Sequence, residues 1–145
     1  MKLLRLIALL GMLTLLAACS SSARSSQGGQ INPVLRLRAL PAADSQKFLS
    51  VRNMRDWKNP YLIVRVDGIG LLDMVNNEQR ILKPDEVVDV LAQLPSSAWP
   101  YGRVVAVAED AASSDDERAR VRKNRALLAG TLENLQVLID WVPAS

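Results

Sequence analysis

Residues 34–145 predict an α/β domain of the two-layer α+β kind: a mixed sheet of four to five strands with two main helices on one face. Three observations predict it. Tyr61-Leu62-Ile63-Val64-Arg65-Val66-Asp67 and Arg103-Val104-Val105-Ala106-Val107-Ala108 are apolar, β-branched runs of strand length. Ser114-Asp115-Asp116-Glu117 is a capping-box pattern that opens a long helical segment. In the second half helices alternate with strands, and packing those helices on one face of a mixed sheet buries both apolar surfaces.

Taken in order, residues 34–39 alternate, with Leu35, Leu37 and Ala39 on one side and Val34, Arg36 and Arg38 on the other, which predicts a first strand closed by Leu40-Pro41. Residues 42–58 are mixed: Phe48, Val51 and Met54 recur at three, and Asp44 fits the cap of a short helix. Asn59-Pro60 reads as a turn. The strand over 61–67 meets Asp67-Gly68, a hairpin dipeptide, and returns over 69–74. Residues 76–78 read as a polar turn. Lys83-Pro84-Asp85-Glu86 opens a helix whose stripe is Val87, Val88, Leu91 and Leu94, and Pro95 stops it. Residues 96–102 form a loop, 103–108 a strand apolar on both faces and therefore central in the sheet, and 114–134 the long helix with Val121, Leu128, Leu132 and Leu135 inward. Residues 136–142 make the last strand, with Trp141 expected in the core. The order is β-β-β-α-β-α-β.

The first eighteen residues differ in kind. Lys2 and Arg5 precede thirteen residues, Leu6 to Ala18, interrupted only by Gly11 and Thr14. As a helix that run rises roughly 20 Å, short of the ~30 Å hydrocarbon core, so residues 1–18 read as a signal peptide and not a membrane span. The run ends in Leu16-Ala17-Ala18-Cys19, which resembles the lipobox of bacterial lipoproteins: a branched apolar residue, two small residues for the peptidase, then the cysteine that takes lipid. Several acyl chains on Cys19 give stable anchoring, each buried CH₂ contributing ~0.8 kcal/mol. Residues 20–30 hold no branched apolar or aromatic side chain and read as a tether, so 19–33 is anchor and linker. Ser20 stands after the cysteine where an aspartate favours inner-membrane retention, so the expected location is the outer membrane, with the domain facing the periplasm.

The chain has 18 basic and 15 acidic residues, and loss of Lys2 and Arg5 with the signal segment leaves 16 against 15. A nucleic-acid footprint is not expected from so small a balance. There is no histidine, the commonest general base and metal ligand. The single thiol is assigned to lipid, so no internal disulfide and no thiol chemistry is expected. Glu109-Asp110 and Asp115-Asp116-Glu117 read as solvated or capping acids, and Gly68-Ile69-Gly70 lacks the third glycine of a phosphate cradle. Arg118 to Arg125 reads as a solvated helix face, and Arg36, Arg38, Lys47, Arg52, Arg55 and Lys58 make the early domain locally basic. No catalytic residue, metal site or cofactor is predicted.

The element order, with Leu37-Arg38-Ala39-Leu40-Pro41-Ala42, the strand running into Gly68, the acid-ended strand from Val104 to Asp110 and the final strand from Val137 to Val142, resembles the periplasmic domain of the ExbD/TolR family. The resemblance spans residues 34–142 and implies a small α/β domain that pairs with itself and docks on periplasmic partners or peptidoglycan. It does not imply a proton-driven role, because residues 3–18 hold none of the acidic groups of that family's membrane helix.

Trp99-Pro100-Tyr101-Gly102 is singled out for binding, since loop aromatics give large contact area at low entropic cost; Trp57 flanks a similar strand entrance. The function expected is a lipid-anchored, non-enzymatic binding or scaffolding protein of the cell envelope, partnered by an envelope protein or a second copy. The alternative is a pilotin-type lipoprotein that localises or chaperones another envelope or secretion-system protein.

Overall fold

The computed structural model describes residues 32–73, 76 and 78–143. Nine regular elements follow one another: α1 (Pro33–Arg38), α2 (Ser45–Phe48), β1 (Tyr61–Val64), β2 (Ile69–Asp73), β3 (Glu78–Leu82), α3 (Val87–Gln93), β4 (Val104–Glu109), α4 (Asp115–Asn134) and β5 (Leu138–Trp141). The strands form one five-stranded sheet in the order β3-β2-β1-β4-β5. β1–β2 and β2–β3 are antiparallel, while β1–β4 and β4–β5 are parallel. The α+β class and the mixed sheet are those the sequence predicts.

The central position of β4 follows from its composition. Val104, Val105, Ala106, Val107 and Ala108 are all buried, because β1 and β5 flank it and both of its faces are covered. On one face Val105 and Val107, with Leu62, Val64, Ile69 and Leu82, meet Leu37 of α1, Val87 and Leu91 of α3, and Val121, Leu128 and Leu132 of α4. On the other face Val104, Ala106, Ala108 and Tyr61 meet Phe48 and Trp57. Period-two alternation divides each strand between the two cores.

Helix α4 starts where the capping pattern places it. The Ser114 hydroxyl accepts the Glu117 amide at 3.2 Å, while the Glu117 carboxylate reaches one residue further back, to the amide and hydroxyl of Ser113 at 2.8 and 2.6 Å.

Four expectations are corrected. The predicted strand over 34–39 is instead the helix Pro33–Arg38 with Ala39 as its C-cap: Pro33 sits in the first turn, the Asn32 side chain accepts the Val34 amide, and Leu37 alone is buried. An Asn-Pro start outweighs a short alternation. This also removes the opening strand on which the ExbD/TolR resemblance leans. The third leading strand is instead β3, which begins at Glu78, where a polar turn was expected; an edge strand needs few apolar residues, and only Leu82 is buried. The predicted order β-β-β-α-β-α-β is therefore not fully matched: two short helices come first, and the β-β-β-α-β-α-β run begins only at β1. Helix α3 begins at Val87, after a turn in which Glu86 Oε2 accepts the Lys83 amide at 2.9 Å. Finally, Trp141 is not core: it is 40% exposed, because β5 is an edge.

Candidate binding surface

The proposed lipid site, Cys19, and the peptidase-recognition residues Leu16, Ala17 and Ala18 lie outside the described residues. The aromatic loop lies within them, and it is locked in place. Trp99 is 4% exposed and packs in the helical core. Trp57 is 2% exposed, set edge-on to Phe48 at 6.4 Å and beside Tyr101 at 5.3 Å, with its indole N–H donating to the Pro60 carbonyl at 3.3 Å. Tyr101 is half-buried and its hydroxyl donates to the Asp56 carbonyl, leaving Pro100 as the exposed member. Trp99, Tyr101 and Trp57 are thus fold-holding, and their expected role as a free contact surface is corrected. A large aromatic near a sheet end gains more from burial than from solvent exposure.

The loop is held by a residue that was read only as a turn former. Asn59 is buried; its Nδ2 donates to the carbonyls of Gly102 and Val104 at 2.7 Å each, and its Oδ1 accepts the Tyr101 amide at 2.9 Å. Gly102 has φ +75°, and a Cβ there would fall on the Ala42 carbonyl. The adjacent Arg103 amide donates to the Pro41 carbonyl. The sheet end is thereby closed by backbone.

The two acids at the end of β4 are each held by an arginine. Glu109 pairs with Arg125 at 2.7 Å and Asp110 with Arg65 at 3.3 Å. Arg65 also donates to Asp67 at 3.1 Å and Gln79 at 3.2 Å, tying the β1–β2 turn to β3. No group of three or more His, Cys, Asp or Glu side chains that could hold a metal occurs among the described residues.

A cleft of about 690 Å³ opens at the sheet end where β1 starts and β2 finishes, with Trp57, Pro60, Leu71 and Leu72 beneath a rim of both charge signs. Its lining includes Arg55, Lys58 and Arg80 as well as Asp73 and Glu78, so no single charge class is selected there.

The sheet edges are more discriminating. β3 presents Glu78, Gln79 and Arg80 to solvent beside the exposed Ile81, and its charges blunt that edge. β5 carries one charged side chain, Asp140, between apolar neighbours. The Leu138 and Val142 amides donate to β4, at Arg103 and Val107, both at 2.9 Å. By strand alternation the N–H and C=O groups of Ile139 and Trp141 therefore point away from the sheet. Leu138 is 45% exposed on one face, and Trp141 lies on the other with the Arg125 guanidinium 4.3 Å over its ring. Asp140 lies between Leu138 and Val142 on the Leu138 face, beside Ala106. Its side chain has no hydrogen bond or ion pair among the described residues, and partial burial pushes its carboxyl above the ordinary aspartate range. The sequence places these residues in the last strand; the strand order makes that strand an edge.

No protein-family model matches the chain, and neither does any curated protein or solved structure. No helix among the described residues is long and apolar enough to cross a membrane.

Proposed function

We propose that the protein is a lipid-anchored, non-enzymatic binding or scaffolding module of the cell envelope, whose domain adds a strand of a protein partner to the open edge of β5. The observation that carries this reading is that edge: unpaired backbone groups at Ile139 and Trp141, flanked by the exposed side chains Leu138 and Trp141, on a sheet whose opposite edge is charged. In strand addition the main-chain hydrogen bonds supply affinity and the flanking side chains supply specificity. Acylation of Cys19, at the outer membrane with the domain in the periplasm, would hold the edge near the membrane.

Two variants of the full-length chain, expressed in a bacterium, test the two halves. Ile139→Pro removes one outward amide and no bond to β4, so the expected result is a folded protein that has lost its envelope partner in crosslinked pull-downs. Equal capture by this variant sinks strand addition. Cys19→Ser is expected to abolish labelled-palmitate incorporation and release the protein from the membrane fraction; continued labelling removes the anchor assignment.

A further inference from the structure

The β5 edge is open, but it is not chemically neutral. On one face its outward pattern reads apolar, acidic, apolar: Leu138, Asp140, Val142. Asp140 is half-buried at the centre of that triplet and unpartnered among the described residues. A strand laid against β5 would place one side chain about 5 Å from Asp140 on the same face and remove much of its remaining water. Burying a carboxylate without a partner is costly, and a cation opposite it offsets that cost. The other face makes no such demand, because its outward aromatic, Trp141, is already covered by Arg125, which is itself paired with Glu109.

The β5 strand of a second copy cannot meet the requirement. No lysine or arginine occurs between residues 126 and 145. Whatever register two β5 strands adopt, nothing in that segment presents a cation to Asp140. In the two-fold register centred on Asp140 the two carboxylates face each other directly, and like charges opposite one another destabilise a pair. An inward-turned charge on an edge strand is a known device against self-pairing.

Building on the strand-addition reading above, we infer that the β5 edge takes an extended polypeptide carrying a basic side chain opposite Asp140 and apolar side chains opposite Leu138 and Val142, and that it rejects the β5 strand of a second copy. Asp140 acts as a selectivity residue. It admits a heterologous strand of the pattern apolar-x-basic-x-apolar and disfavours the same strand with an acid at its centre.

The test uses the full acylated chain in detergent micelles and two synthetic peptides, Thr-Val-Thr-Lys-Thr-Val-Thr and its counterpart with a central glutamate. Amide exchange at Ile139 and Trp141 reports edge occupancy, and titration reports affinity. The lysine peptide is expected to bind at least about tenfold tighter than the glutamate peptide, with the preference reversed in Asp140→Lys. Asp140→Asn, which keeps the shape, is expected to bring the two within about twofold. Without peptide, the wild-type amides should gain no protection as protein concentration rises, whereas those of Asp140→Leu should. Equal binding of both peptides overturns the selectivity but leaves strand addition standing. Failure of both peptides to protect the two amides overturns strand addition and the selectivity with it. Concentration-dependent protection in the wild type overturns the rejection of self-pairing.

Discussion

The carboxamide of Asn59 holds the backbone of Tyr101, accepting its amide at 2.9 Å while donating to the carbonyls of Gly102 and Val104 on either side of Arg103. Three bonds from one buried side chain thus join the approach to β1 with the approach to β4, the two central strands.

Asn59→Ala strands the Val104 carbonyl and the Tyr101 amide and leaves the Gly102 carbonyl with the Val104 amide alone, and each unsatisfied buried group costs about 1–3 kcal/mol. Partial access of water reduces the sum. The expected loss is roughly 2–4 kcal/mol, read as a fall in the denaturant midpoint at unchanged m-value. Asn59→Asp should be at least as damaging, since a carboxylate would then face the two carbonyls. A change under about 0.5 kcal/mol in either variant would contradict the clamp.

Tryptophan accessibility separates the three indoles. Trp57 and Trp99 are buried and Trp141 is 40% exposed, so iodide should quench one emission component, and Trp141→Phe should remove it with little change in stability. Trp99→Ala, by contrast, empties a core position and should cost about 3–5 kcal/mol. Quenching that survives in Trp141→Phe would show the Trp99 loop to be open.

Glu117 supplies a pH dependence of known sign. Hydrogen bonds from the Ser113 hydroxyl and amide hold its carboxyl below the ordinary glutamate value of 4.5. The folded state therefore favours the ionised form, and that stabilisation is fully present above pH 4.5 and lost as pH falls through the lowered value. Glu117→Gln should lower the melting temperature at pH 7 by an amount that shrinks toward pH 3. A constant difference across that range would separate the effect from ionisation.

Asp140 has the opposite sign. Burial raises its carboxyl above the ordinary value of 3.8, so the folded state favours the protonated form. The penalty is complete above the raised value, relaxes as pH falls through it, and is absent below 3.8. Asp140→Asn is expected to melt higher than wild type at pH 7 and to converge with it near pH 3. A lower melting temperature at pH 7 would mean that the carboxylate has a stabilising partner.

Local chemistry made most of the elements legible. Strands β1 and β4 are continuous apolar runs and α4 opens on its own cap, and these signals depend on neighbours in sequence. Legibility failed where two local signals competed, or where the signal was weak. At residues 32–38 the Asn32–Pro33 start and the alternation of Leu35 and Leu37 point to different structures, and the cap decided it. At residues 78–82 an edge strand exposes one side to water and carries little apolar pattern to detect.

By itself the sequence determined the α+β class, the central place of β4, the start of α4 and the absence of histidine chemistry, because each depends on composition or on spacing along the chain. Only the tertiary structure decided which aromatics are inside and which strand is left open. Burial of Trp57 and Trp99 depends on Asn59 and Gly102 folding the loop back, contacts made across more than forty residues. Whether Leu138, Asp140 and Trp141 face a neighbour or solvent depends on β5 being last in the sheet, a property of strand order that no local pattern encodes.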